Sequence, residues 1–219
     1  MKKIFLLLTI LLILTGCSVK YNLTINEDLT ITEEAKLTGT EDFFASYYKS
    51  TKKNVLNSQL NSYKSLLDEN KYQYEIKDDN IPYVLVYKKY NNFKEYIDTT
   101  LLFNEYFDEV KYTENGDIKR LETVGFNENN PENPDRFDVK KLEIIIKCPF
   151  KVKEHNASKV DKKTNTYYYD LFKDNKIVLE YNIAKKFNPN DEILYKILMF
   201  VGIIIFSWLT VLVLNKKKK

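Results

Sequence analysis

The sequence has three thiol or imidazole side chains, Cys17, Cys148 and His155, and these groups serve as nucleophiles, general bases or zinc ligands. A thiol beside an imidazole can form an activated nucleophile, and a pair of Cys148 with His155 is one interpretation. We prefer the other, in which Cys148 is a small core residue behind the apolar run 144–146. His155 is then a turn residue bonded to its own backbone near Asn156. Because the chain has one histidine, a nitrogen-rich zinc site is excluded, and we predict no metal site.

The acidic side chains offer no clearer catalytic arrangement. The pairs Glu33–Glu34 and Asp78–Asp79 are expected at turns or exposed strand positions, in contact with solvent. The short acidic turn 26–28 falls well short of the roughly six to eight oxygen ligands that calcium takes. The sequence contains no phosphate-binding loop, nucleophile elbow, kinase signature or metalloprotease helix. We therefore predict that the protein is not an enzyme.

The N-terminal segment gives Cys17 a different chemistry. Two lysines precede the apolar run 4–14, which as a helix would be about 16 Å long, too short for a bilayer core of about 30 Å. Residues 1–16 thus have the pattern of a secretory signal peptide. The residues Leu14-Thr15-Gly16-Cys17 resemble the bacterial lipobox, in which the thiol receives a diacylglycerol and cleavage leaves the cysteine first in the mature chain. We predict covalent diacylglycerol on Cys17 and no other cofactor; an ordinary cleavage site with an incidental cysteine is the alternative.

A second apolar segment, residues 193–214, lies near the C-terminus. As a helix it would be about 33 Å long, enough to cross a bilayer. The lysines in the tail 215–219 predict a cytoplasmic C-terminus by the positive-inside rule, which puts residues 17–186 outside the cell and leaves 187–192 as a connector. The prediction is a bacterial membrane protein held by a lipid and a single span. A eukaryotic membrane protein, glycosylated at Asn22 and Asn156, is the alternative.

The charge of the middle region argues against a nucleic-acid partner. Seven of the 34 basic residues lie outside residues 18–192, whereas all 31 acidic residues lie inside. This leaves 27 basic against 31 acidic groups, a net charge of −4. A mildly acidic surface with interspersed charges does not attract phosphate backbones.

The middle region has the pattern of an α+β domain. Apolar residues alternate with polar ones over 19–25 and 29–37, which predicts a hairpin. A helical stripe over 42–67 predicts one long helix packed on the sheet. Short turns between strands favour a mainly antiparallel sheet, and the C-terminal transmembrane helix completes the predicted fold. Further strands are predicted over 72–76, 83–87, 139–146, 166–171 and 177–183, with a short helix at 91–97 and a second hairpin, 107–112 with 118–124, around Asn115-Gly116.

A resemblance to a known family covers roughly residues 17–183. The segment 148–157, CPFKVKEHNA, leading to 164–171, TNTYYYDL, resembles the late part of the LppM-type lipoprotein domain. The resemblance implies an extracytoplasmic α+β domain on a lipid anchor, often with a C-terminal span. It also implies a link to envelope lipids and supplies no catalytic residues. In this comparison Pro149, His155, Asn156 and Ala157 form the turn between two strands.

Two functions fit these observations. The first is a non-enzymatic binding module for lipid or another cell-envelope component close to the membrane. The alternative is a subunit that assembles with other envelope membrane proteins. Because both connectors to the anchors are short, we expect Lys20, Lys185, Lys186 and Phe187 to lie near lipid headgroups. Short connectors without lipid contact are the alternative.

Overall fold

The computed structural model describes residues 18–38, 51–61, 64–77, 79–101, 103–126, 141–190, 199–201 and 203. The predicted signal peptide, Cys17, the loop 127–134, the basic tail and most of the predicted span therefore lie outside the described residues. Among those described, no helix is both long and apolar enough to cross a membrane.

Seven described strands form the larger sheet: β1 Ser18–Ile25, β2 Ile31–Thr38, β3 Gln73–Lys77, β4 Tyr83–Tyr90, β7 Lys141–Lys147, β9 Lys159–Asp161 and β10 Thr166–Asp170. Their order across the sheet is β3-β4-β2-β1-β7-β10-β9, with β1 in the middle. Strands β1 and β7 are parallel, and the other pairs described in this sheet are antiparallel.

Four described strands form the smaller sheet: β5 Phe107–Asn115, β6 Ile118–Phe126, β8 Phe150–His155 and β11 Val178–Lys186. Their order is β5-β6-β11-β8, and all three pairings are antiparallel. The predicted hairpin of β5 and β6 is present, but its two turn residues are Gly116 and Asp117, one residue later than the expected Asn115-Gly116. Gly116 has φ +57°, a left-handed conformation that glycine adopts without strain.

The helical segments that the structure describes are short. Those described are α1 Lys52–Asn61, α2 Lys64–Glu69, α3 Phe93–Thr99 and α4 Leu171–Asp174, with a 3₁₀ turn at Asn104–Tyr106. The predicted long helix over 42–67 is described in two segments, α1 and α2; residues 42–50 and 62–63 lie outside the described residues, so its continuity stays a prediction. The predicted apolar stripe is nevertheless present, because Leu56 and Leu67 are buried and Leu60 packs against the core.

One hydrophobic core joins the two sheets and the helices. In β1 the buried residues are every second one, Val19, Tyr21, Leu23 and Ile25, as the period of two requires. The predicted α+β class and the mainly antiparallel pairing are confirmed, with two sheets instead of one. The strands β8 and β9 and helix α4 were not predicted.

Candidate functional site

The position of the lipid anchor follows from the fold. Strand β1 begins at Ser18, the residue after Cys17, so no linker separates the attachment residue from the sheet. Ser18 pairs with Thr38 on one side and Lys141 on the other, and Thr38 pairs with Tyr83. We name the end of the large sheet formed by these four residues the anchor end. Because β1 is the middle strand, a lipid on Cys17 would be attached at the centre of that end.

The structure does not bring the four predicted membrane-contact residues together. Lys20 is exposed near the anchor end and pairs with Glu143 at 3.6 Å. Lys186 pairs with Glu27, in the turn between β1 and β2 at the opposite end of β1. Lys20 and the end of β1 at Ile25 are five residues, or about 17 Å, apart along the strand, and Glu27 lies in the turn beyond that end. Of the other two, Lys185 is exposed, and Phe187 is half-buried and donates its N–H to the carbonyl of Pro149 at 2.8 Å.

The structure places the predicted turn residues at the two ends of strand β8: Pro149 lies in the bend before it, His155 is its last residue, and Asn156 and Ala157 follow it. Within β8, Phe150 and Val152 alternate with exposed lysines. Asn156 continues the contact of β8 with β11: its Oδ1 accepts from the Val178 N–H at 2.6 Å, and its amide donates to the Lys176 carbonyl at 2.9 Å. Ala157 packs partly buried against the core.

The two side chains considered for nucleophilic chemistry lie in different environments. Cys148 is buried, as predicted, and burial raises the pKa of its thiol to about 12, so the thiol stays protonated. The His155 ring lies against the ring of Tyr167, with 4.9 Å between centroids, and partial burial lowers its pKa. Among the described residues, no group of three or more His, Cys, Asp or Glu side chains could hold a metal ion.

Sequence analysis missed Asn165, which fixes the bend between β7 and β8. Its backbone has φ +51°, and its side-chain amide donates to the carbonyls of Cys148 at 2.6 Å and Phe150 at 2.8 Å. The Tyr167 hydroxyl donates to the Asn165 Oδ1 at 2.8 Å. Asparagine adopts this left-handed conformation more readily than most residues, so the residue type at position 165 was the sequence feature that could have indicated the bend.

The expectation that Glu33 is solvated is wrong. Its side chain is fully buried, at 0% exposure, and accepts four hydroxyl hydrogen bonds. Tyr21 and Thr100 donate to one carboxylate oxygen at 2.6 and 2.7 Å. Tyr72 donates to the other at 3.0 Å, as does Tyr90 through a short bond. Together with Tyr96, whose hydroxyl is 2.8 Å from that of Tyr21, these residues form what we name the Glu33 cluster.

The electrostatics of the Glu33 cluster balance burial against hydrogen bonding. Burial raises the pKa of Glu33, while the bonds from Tyr21, Tyr90, Thr100 and Tyr72 oppose the rise. Lys88 lies opposite Glu33 in β4, with its ammonium 4.6 Å from the centroid of the Tyr90 ring. Every hydroxyl in the cluster belongs to the core, so the arrangement ties β1, β2, β4 and the segment after α3 together.

One open cleft of about 760 Å³ lies between α3 and β5. Five consecutive residues of β5 line it. Because neighbouring side chains of a strand point to opposite faces, a cleft that all five line runs along the strand's edge, next to its backbone. The lining residues are Asn92, Lys94, Ile97 and Asp98 from α3 and its N-cap, and Val110, Lys111, Tyr112, Thr113 and Glu114 from β5.

Comparison with known proteins identifies the anchor. A family model described as the prokaryotic membrane lipoprotein lipid attachment site matches residues 1–18, which include Cys17. No curated protein matches the chain. Among solved structures, the chain is similar to the NMR structure of the folded domain of LppM from Mycobacterium tuberculosis, with 14% identity and a TM-score of 0.48, covering 80% of this chain and 93% of that one. A similarity of this size assigns no function. The lipid attachment site shows that the chain is a membrane-anchored lipoprotein with its lipid on Cys17.

Proposed function

We propose that the folded domain is a non-enzymatic module that binds lipid or another envelope component close to the membrane. The observation that carries the proposal is that Cys17 is joined directly to the middle strand of the large sheet. Without a linker, the domain is confined to the layer next to the bilayer, where membrane lipids and envelope polymers are its neighbours.

The cleft between α3 and β5 is the binding site we propose. Its volume of about 760 Å³ is within the range of small-molecule sites, roughly 300–1,000 Å³. Apolar groups from Ile97, Val110 and Tyr112 line it, and Lys94 and Glu114 supply opposite charges. An amphipathic molecule such as a lipid headgroup with its glycerol suits this combination.

The test is native purification of the full-length protein in mild detergent, followed by mass spectrometry of what co-elutes. Thr113→Trp should fill the cleft and reduce the co-eluting ligand, because Thr113 is exposed within it. The matched control is Val124→Trp, on β6 of the same sheet but outside the cleft. Equal recovery of ligand from both variants would show that the cleft is not the site.

The second candidate function, assembly with other envelope proteins, is favoured by the position of β5. Among the described strands, β5 is at the edge of its sheet, and its edge lines the cleft. An extended segment of a partner could add to it as a further strand. Asn115 pairs with Ile118 and closes the two-residue hairpin, so the N–H of its neighbour Glu114 points away from β6. Glu114→Pro would therefore remove one N–H that an added strand could bond. The assembly function predicts a co-eluting protein that this variant loses.

We also propose that residues 193–214 cross the membrane, with residues 215–219 in the cytoplasm. The support is the length of the apolar segment and the four terminal lysines. A cysteine at Lys219 should resist an impermeant thiol reagent on intact cells, whereas one at the exposed Lys153 should react. Labelling at position 219 in intact cells would reverse the orientation.

A further inference from the structure

Few large apolar side chains are exposed among the described residues up to 190. They are Leu29, Ile81, Val124 and Phe172, exposed by 38, 43, 42 and 43%. Single exposed apolar residues are ordinary on a soluble surface. Two of the four, Ile81 and Phe172, differ from the other two in where they lie relative to Cys17.

Ile81 lies at the anchor end of the large sheet. It is in the turn between β3 and β4, two residues before Tyr83. Tyr83 pairs with Thr38, which in turn pairs with Ser18. Strand β4 is two positions from β1 in the sheet. With neighbouring strands about 4.8 Å apart, Ile81 lies about 10 Å to one side of the lipid attachment point.

Phe172 lies at the same end, on the other side. It is in α4, which follows β10 directly, and the last residue of β10, Asp170, pairs with Glu143 near the start of β7. Strand β10 is two positions from β1 in the opposite direction. The lipid attachment point is therefore centred between two exposed apolar side chains.

We propose that the anchor end inserts into the membrane interface, with Ile81 and Phe172 entering the acyl region on either side of the diacylglycerol. This proposal rests on the membrane-proximal function above and specifies which surface meets the bilayer. Lys77 and Lys173, near the two apolar residues in sequence, are long enough to reach headgroups, but each is paired with a carboxylate, Glu75 or Asp170. The contact therefore depends on apolar insertion more than on charge, and it should form on phosphatidylcholine as well as on anionic lipid.

This orientation places the other end of the large sheet away from the bilayer. Leu29 and Lys186 then lie about 23 Å farther out, the length of β1. The seven residue steps from Lys186 to Ile193 reach at most about 25 Å when fully extended. Pro189 and Asn190 form a turn in the structure, so the C-terminal segment enters the same membrane only if this turn opens. Of the four residues predicted near headgroups, Lys20 alone stays there.

The test uses the full-length lipidated protein in phosphatidylcholine nanodiscs, with an environment-sensitive fluorophore on one introduced cysteine. Ile81→Cys and Phe172→Cys are the test positions, and Leu29→Cys and Val124→Cys are controls of similar exposure. Cys148 is buried and Cys17 is acylated, so labelling is selective. We expect blue-shifted emission and several-fold stronger quenching by a lipid-borne nitroxide at positions 81 and 172 than at 29 and 124, in variants whose thermal melts match the wild type.

Water-like emission at both 81 and 172 would overturn the proposal, as would lipid-like emission at 29 or 124. Either result leaves the binding function intact, because that function is judged separately by what co-elutes with the protein and by its loss in Thr113→Trp. Replacing phosphatidylcholine by an anionic lipid should leave the pattern unchanged; a contact that appears only on the anionic lipid would contradict the apolar mechanism.

Discussion

The two sheets each hold a cluster around one ionisable side chain, and the clusters are built in opposite ways. In the large sheet, Glu33 is fully buried and receives hydrogen bonds from neutral hydroxyls. On the small sheet, Arg120 is 28% exposed and contacts three carboxylates, Glu154 at 2.6 Å, Glu122 at 3.2 Å and Glu180 at 3.3 Å. A buried carboxyl group is stabilised by donors that add no further charge to the core, whereas a surface ion can use opposite charges that water screens.

The largest expected effect comes from removing the buried group. Glu33→Ala would leave the hydroxyls of Tyr21, Tyr72, Tyr90 and Thr100 without their acceptor and open a cavity. We expect a loss of about 3–5 kcal/mol in the free energy of unfolding, the usual scale for breaking a buried polar network. Thermal or denaturant unfolding of the full-length protein in detergent measures it.

The adjacent acid provides the control for this experiment. Glu34 faces the opposite side of β2, is half-buried and accepts one hydrogen bond from Asn22 at 2.9 Å. Its replacement by alanine should cost no more than about 1 kcal/mol. Equal losses for the two alanine variants would contradict the difference between a buried cluster and a surface contact.

The second prediction concerns pH. Because burial raises the pKa of Glu33 above its ordinary value of 4.5, the folded state holds this proton more tightly than the unfolded state does. Its contribution to stability is complete below that ordinary value and declines as the pH rises through the raised pKa. Glu33→Gln is neutral at every pH, so its stability should not decline in this way. The difference in free energy of unfolding between the wild type and Glu33→Gln should therefore shrink as the pH rises from acid to neutral. A stability difference that grows with pH would contradict this sign.

Whether a feature of the fold could be predicted from the sequence depends on how many residues separate its interacting side chains. The hairpin around Gly116 and the helix starting after Asn92, whose side chain caps the Glu95 N–H at 2.8 Å, are local and were predicted correctly. Glu33 carried a usable signal, since it shares the period of Ile31, Ala35 and Leu37, but its charge argued for solvent. Its partners Tyr72 and Thr100 lie 39 and 67 residues away, and no local pattern indicates them.

Strand β8 was missed for a different reason. Phe150 and Val152 alternate with lysines, which is a strand pattern, but the resemblance to a family motif placed a turn there. The parallel pairing of β1 with β7 and the division into two sheets depend on contacts across more than 100 residues of sequence. The arrangement of Ile81 and Phe172 around Cys17 follows from that topology, so no inspection of the sequence alone could have found it.

The smallest expected effect is at the exposed cluster, and its dependence on conditions tests the comparison most directly. Arg120→Gln removes the cation and leaves three carboxylates close together, but water and salt screen their repulsion, so the loss should be less than about 1 kcal/mol. The hydrogen bond from Arg120 is the main cause that lowers the pKa of Glu154. The pair of Arg120 with Glu154 therefore stabilises the fold above the ordinary pKa of glutamate and loses this effect as the pH falls, which is the opposite of the pH dependence at Glu33. The loss should shrink at high salt and at acid pH, and Glu154→Gln should relieve part of it in a double-mutant cycle. The Glu33 variants, in contrast, should be insensitive to salt because their interactions are buried. A salt-independent loss at Arg120 comparable to that of Glu33→Ala would show that the two clusters stabilise the fold in the same way.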